Sequence, residues 1–191
     1  MKITSVLGSP RPEKGNTAKV LGWVEEELRA KGHDVDRINI TDKKVNGCKE
    51  CYTCQGIPDE PGCPQEDDAK EIFERLMASD ALLLASPLFC WGFSSQIKPL
   101  IDRHFCLVTG YGTPNWKSLL EGKRAGLLVT CAGPIEENAE LIVQMFQRLM
   151  DYAKISGSES LVIPFTTTPD AMGAEIKEQA VKFADRLVGR T

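Results

Sequence analysis

Two groups of residues in this sequence could do chemistry, and the more conspicuous is Cys48-x2-Cys51-x2-Cys54-x8-Cys63-Pro64. Three closely spaced thiolates with one more distant can surround a [4Fe–4S] cubane, and bacterial ferredoxins combine C-x2-C-x2-C with a fourth ligand in Cys-Pro. Gly47 and Gly62 would ease the tight backbone such a group needs. Four cysteines also suit a closed tetrahedral zinc site. A third reading makes them packed or free thiols with no ligand role. The other cysteines, Cys90, Cys106 and Cys131, are scattered, and the odd total of seven argues against a disulfide framework.

The second group is the loop Gly8-Ser9-Pro10-Arg11-Pro12-Glu13-Lys14-Gly15-Asn16-Thr17. It has neither the G-x-G-x-x-G of a dinucleotide turn nor the Gly-Lys-Ser/Thr of a P-loop. It offers the hydroxyls of Ser9 and Thr17, the amide of Asn16 and the guanidinium of Arg11 ahead of a helical pattern. Free backbone N–H groups and the helix dipole at such a place favour a phosphate dianion, and Arg11 can add a charge-assisted bond. Pro10 and Pro12 keep the residues before them out of helix. Read alone, the loop is equally an ordinary βα turn with Asn16 or Thr17 as its cap.

A neighbouring pattern gives the phosphate a partner. Ser86-Pro87-Leu88-Phe89-Cys90-Trp91-Gly92-Phe93-Ser94 puts three aromatic residues just after the apolar run Ala81–Ala85. A flat tricyclic flavin would cover such an apolar exit, with backbone groups reaching the polar edge of its ring. The alternative is that Phe89, Trp91 and Phe93 belong to the core or a dimer contact. In Thr130-Cys131-Ala132-Gly133-Pro134 small residues let backbone approach the same ring, with Thr130 and Gly133 as candidates. Cys90 reads as a packed thiol beside this site. His33 and His104 support neither a triad nor a metal site; His33 reads as a turn residue and His104 as helix packing.

These segments need a frame, and the rest of the chain supplies one. Short β-rich runs at Ile3–Leu7, Val35–Ile40, Ala81–Ala85, Ala125–Thr130 and Ser160–Phe165 alternate with helical spacing at 17–31, from Asp67 to Met77, through Ile97 to Phe105, at 137–153 and through Ile176 to Leu187. Five strands alternating with five helices predict a parallel sheet covered on both faces. Ligands of such sheets sit beyond the carboxyl ends of the strands, which selects the three loops above. Residues 43–66 lack periodicity and read as a long functional loop. Asp67 and Asp68, at the next helix start, fit capping.

The 191-residue length suits one domain, and no repeat or linker divides it. A formal charge of −4 gives no basic field, so neither nucleic acid nor an anionic membrane is an expected partner. The opening Met-Lys-Ile-Thr-Ser-Val runs into a strand without the pattern of a signal peptide, and the protein is expected to be cytoplasmic.

Gly8-Ser9-Pro10-Arg11 with Gly15-Asn16-Thr17, and Ser86-Pro87-Leu88 running into Lys98-Pro99-Leu100-Ile101-Asp102-Arg103, resemble the NADPH-dependent FMN reductase family. The cysteine motif resembles that of the family's iron–sulfur flavoprotein branch, with a longer final gap. The resemblance implies a single flavodoxin-like α/β domain over residues 1–191 with a Cys-rich insertion at about 43–66. Its three layers would enclose a five-stranded parallel sheet in the order 2-1-3-4-5. It further implies FMN, with the phosphate on Ser9, Arg11, Asn16 and Thr17 and the ring on Pro87, Leu88, Phe89, Cys90, Trp91, Gly92 and Phe93. Cys48, Cys51, Cys54 and Cys63 would hold a [4Fe–4S] cluster, while Lys98, Asp102 and Arg103 would be structural or interface residues. The implied protein is a homodimeric or homotetrameric oxidoreductase moving electrons between NAD(P)H or a ferredoxin-like donor and a small-molecule or protein acceptor. A non-catalytic electron carrier or redox-sensing module is the alternative. No protein nucleophile or general base is required, because a flavin carries its own chemistry.

Overall fold

The computed structural model describes residues 1–189. Five strands, β1 (Lys2–Leu7), β2 (Asp34–Asn39), β3 (Ala81–Pro87), β4 (Arg124–Thr130) and β5 (Gly157–Ile163), form one sheet in the order β2-β1-β3-β4-β5. Every pairing in it is parallel. The chain alternation explains this, because each strand is followed by a crossover long enough to return it to the same end.

Period-two alternation along the central strands divides the interior into two cores. Leu82, Leu84, Leu127 and Val129 face α2 (Ala69–Met77), α3 (Lys98–Asp102) and α4 (Glu140–Tyr152), where they meet Phe73, Leu100 and Phe146. Leu83 and Leu128 face the other way, toward α1 (Asn16–Ala30) and α5 (Ala174–Leu187), and pack with Leu21, Leu28 and Phe183. Both faces of β3 and β4 are therefore apolar, as the unbroken hydrophobic runs predict.

Two elements differ most from the sequence expectation. The last strand runs Gly157–Ile163 rather than Ser160–Phe165. Its first residues are polar and half-buried because β5 is an edge strand, so its start carries no hydrophobic signal. The helix expected through Phe105 ends at Asp102 and tightens into a 3₁₀ turn over Arg103–Leu107. In a 3₁₀ turn side chains three apart eclipse, which directs Arg103 and Cys106 to one side. Residues 43–66 are irregular apart from a 3₁₀ turn at Thr53–Gly56. Among the described residues, no helix is long and apolar enough to cross a membrane.

Candidate functional site

The order reverses between β1 and β3, and the loops leaving their carboxyl ends form a cleft of about 240 Å³. Ser9, Arg11, Asn16 and Thr17 line one side, Pro87, Leu88 and Phe89 another, and Thr130 the floor. The first loop is closed by its own backbone: the Gly15 N–H donates to the Arg11 carbonyl at 2.8 Å, and the Arg11 N–H donates to Ser9 Oγ at 3.1 Å. Gly15 is demanded here, since a Cβ would lie 2.7 Å from both the Arg11 carbonyl and Ser9 Oγ.

Gly15 is also the N-cap of α1, and no side chain caps that helix. This excludes the ordinary-turn reading in which Asn16 or Thr17 is the cap. Asn16 donates through Nδ2 to the Thr167 carbonyl at 3.3 Å, while its Oδ1 is buried with no partner. Thr17 Oγ1 meets Thr130 Oγ1 at 2.8 Å, tying the first loop to the end of β4. The helix thus presents its first N–H groups, and the positive end of its dipole, toward the cleft.

The aromatic loop contributes unevenly. Phe89 and Gly92 exchange backbone hydrogen bonds at 3.1 and 3.0 Å, closing a two-residue turn on Cys90 and Trp91. Both turn residues have positive φ, 47° and 62°, and both are exposed. Cys90 is therefore a turn-tip thiol rather than a packed one. Phe93, expected beside the ring, is buried among Ile97, Leu100 and other residues of the α3 side of the core. Alternation past the turn sends it inward. Cys90, Trp91, Gly92 and Gly133 do not line the cleft, whereas Cys131, Ala132, Thr166 and Thr167 do. The threonines belong to a fourth loop, after β5, that sequence reasoning did not select. Its signal was the run Thr166-Thr167-Thr168 following an apolar strand.

The cysteine segment builds a separate cavity of about 520 Å³, larger than the cleft. Cys48, Cys51, Cys54 and Cys63 all line it, joined by Cys106 and by the rings of Tyr52, Phe105 and Tyr152. Cys48 and Cys51 are exposed, Cys54 is buried and Cys63 is partly buried. Hydrogen bonds from Thr53 hold the Cys51 thiol below its ordinary range, whereas burial raises that of Cys54. Burial, reinforced by Cys63 and Cys54, pushes Cys106 up to about 12, so it is a neutral thiol. Gln55 anchors the segment, donating from Nε2 to the Phe105 and Val108 carbonyls at 3.1 and 2.7 Å and accepting at Oε1 from the Tyr111 N–H at 3.1 Å.

Beneath the cavity lies a buried ion pair. Arg103 Nη1 stands 2.7 and 2.6 Å from the two oxygens of Asp67, and the two side chains are 1% and 0% exposed. Burial would raise the Asp67 carboxyl, but Arg103 and the amides of Asn46 and Ala69 outweigh it and hold the group below the usual carboxylate range. Asp67 is thus chiefly the counter-ion of Arg103, and the capping role expected of it is confined to the Ala69 N–H. Asp68 stands at the N-cap of α2 but bonds the Lys44 N–H instead of capping. Lys98 and Asp102 form an exposed pair one helical turn apart.

Among the described residues, no three His, Cys, Asp or Glu side chains converge as they would around one metal ion. A cubane attaches its ligands to different iron atoms, so its thiolates need a shared cavity rather than a shared point. Four cysteines line this one cavity together with Arg103, whose Nε is buried without a partner.

A doubly wound parallel sheet with an uncapped helix N-terminus at its switch point defines a flavodoxin-like α/β protein. Within that class the chain belongs to the NADPH-dependent FMN reductase family, whose model matches residues 1–161. It is similar to an iron–sulfur flavoprotein of Archaeoglobus fulgidus, 37% identical over 133 residues that make up 70% of this chain and 56% of the relative. An iron–sulfur flavoprotein of Methanosarcina thermophila is 35% identical over 107 residues, 56% of this chain and 54% of that one. The chain spans about half the length of these curated relatives. In fold it is similar to an FMN-dependent NADH-azoreductase from Bacillus anthracis solved with FMN, with a TM-score of 0.75, 14% identity and coverage of 99% and 100% of the two chains.

Proposed function

We propose that this protein is an FMN-dependent oxidoreductase that takes electrons from NAD(P)H or a ferredoxin-like donor and passes them to a small-molecule or protein acceptor. The observation that carries the reading is the uncapped start of α1, facing a cleft where Ser9, Arg11, Asn16 and Thr17 meet the loops after β3 and β4. Those four residues would hold the phosphate, the α1 N–H groups and Arg11 offsetting its charge. Pro87, Leu88 and Phe89 would flank the ring, and Thr130 would orient Thr17 through their shared hydrogen bond. FMN, when bound, supplies hydride and single-electron chemistry. The exposed Phe89 ring at the cleft would offer a surface for a flat acceptor.

The cysteine cavity is assigned to a [4Fe–4S] cluster held by Cys48, Cys51, Cys54 and Cys63, a group that would supply one-electron transfer. Support comes from the four thiols around one cavity and from the iron–sulfur flavoproteins among the relatives. The family name supports NAD(P)H as co-substrate, and the sequence resemblance implies a homodimer or homotetramer.

Anaerobic purification followed by an absorption spectrum with iron and sulfide analysis tests both groups. Flavin bands that bleach on reduction are expected, together with iron and sulfide; colourless protein that fails to take up added FMN overturns the flavin reading. Steady-state oxidation of NADH and NADPH with a quinone or ferricyanide then separates enzyme from carrier, because a carrier shows negligible turnover.

A further inference from the structure

We propose that Arg103 is the positioning residue of the cysteine cavity, fixing Cys63 toward it and donating hydrogen bonds to the sulfur of the group bound there. The inference rests on the cluster reading above.

A buried guanidinium has five N–H donors to satisfy. An arginine serving only as an ion-pair anchor turns its fork to the carboxylate, each oxygen taking a different nitrogen. Arg103 does not. Both Asp67 oxygens sit on Nη1 alone. Nη1 also reaches the Asn46 carbonyl at 3.3 Å, which ties down the chain entering the cysteine segment. The rest of the fork is left for the cavity: Nη2 donates to Cys63 Sγ at 3.3 Å, and Nε is buried without a partner.

The backbone explains this aim. Arg103 opens the 3₁₀ turn whose next eclipsed residue is Cys106, so both side chains face the same cavity. Asp67, at the far end of the cysteine segment, accepts from the Asn46 backbone N–H and side-chain Nδ2 at 2.8 and 2.9 Å. One ion pair therefore clamps both ends of the segment around the four thiols and leaves Nη2 on Cys63. A cubane held by four thiolates becomes more negative on reduction. A cation and N–H donors at a ligand sulfur favour the more negative state, so Arg103 raises the reduction potential of the cluster.

The test uses the full chain reconstituted anaerobically, with bound FMN as the control for folding. Because removing Arg103 alone would leave Asp67 bare, the main variant combines Arg103→Gln with Asp67→Asn. Iron and sulfide per chain are measured, and the cluster potential is titrated and followed by electron paramagnetic resonance. The double variant is expected to retain FMN and to titrate at lower potential than wild type, and Arg103→Lys to recover part of the shift. An unchanged potential at unchanged iron content, with FMN bound, overturns the proposal. Should the double variant lose FMN as well, Arg103→Lys decides: a potential equal to that of wild type overturns the proposal, and a lower one supports it. Wild-type protein that takes up no iron or sulfide overturns the cluster reading, and the claim about potential with it. The positioning claim has its own readout in metal-free protein, where alkylation of Cys63 relative to Cys54, mapped by mass spectrometry, is expected to accelerate in the double variant. An unchanged ratio there overturns it even if the cluster forms.

Discussion

The cleft at the switch point and the cavity of the cysteine segment are put together on different principles. The cleft is made by topology. Its walls are the exits of β1, β3, β4 and β5, and its polar groups ride on strand ends and a helix start that the two cores already hold in place. The cavity is made by an irregular segment of the chain that owes its shape to a few polar fastenings, above all Arg103–Asp67 and Gln55. A site at the carboxyl ends of strands is stable because the sheet is stable. A site in an irregular segment is only as stable as what pins it.

That contrast can be broken most forcefully at Asp67. Asp67→Ala leaves a buried guanidinium without its counter-ion and should cost about 3–5 kcal/mol. The loss is expected in the cysteine segment. Hydrogen exchange should accelerate over residues 43–66 while FMN affinity changes little; equal acceleration at the Ser9–Thr17 loop would show that the two regions do not separate.

Acid gives a second separation. Burial lowers the His104 pKa from 6.5 to about 4, against the opposing influence of the Ile101 backbone and Asp102, so the imidazole stays neutral in the fold. The unfolded chain therefore binds more protons between these values. The His104 contribution to stability is complete above pH 6.5, is lost as pH falls toward 4 and amounts to about 3 kcal/mol. His104 lines the cysteine cavity, so His104→Phe should flatten this part of a stability–pH curve measured by urea unfolding. A curve as steep as that of wild type would place the acid sensitivity elsewhere.

The mildest probe acts on the cleft. Arg11 is exposed, and Arg11→Ala should remove one charge-assisted bond worth about 1.5–3 kcal/mol, weakening FMN binding roughly ten- to hundredfold without altering thermal stability of the FMN-free protein. Fluorescence titration at two salt concentrations would measure it, with the difference between variant and wild type narrowing as salt rises.

The same contrast decides what could be read from the sequence. Unbroken apolar runs such as Leu82–Leu84 and Leu127–Val129 announce strands buried on both faces, and the sheet follows from their alternation with helices. Once the sheet is known, so is the end at which a ligand sits. The polar start of β5 escaped because an edge strand needs no apolar first half. Phe93 was misplaced because a tight turn at Cys90–Trp91 reverses the chain, and no local residue type announces that turn: its two positive-φ positions carry neither Gly nor Asn. Asp67 and Arg103 were both visible as residues, yet their pairing spans 36 positions and a whole βα unit. Nothing periodic connects them. The cysteines could be counted from spacing, but the residues that hold them in place could not.

Gln55 carries a consequence for how such a segment travels between proteins. Its amide is spent on the Phe105 and Val108 carbonyls and the Tyr111 N–H, all backbone groups of a distant stretch. The cysteine segment is therefore half of a lock whose other half is the course of the chain after α3. Transplanted alone onto a related scaffold, it would bring its thiols and lose its footing. A graft has to carry residues 43–68 together with 103–111, so the working unit at this site is the pair of segments rather than the motif.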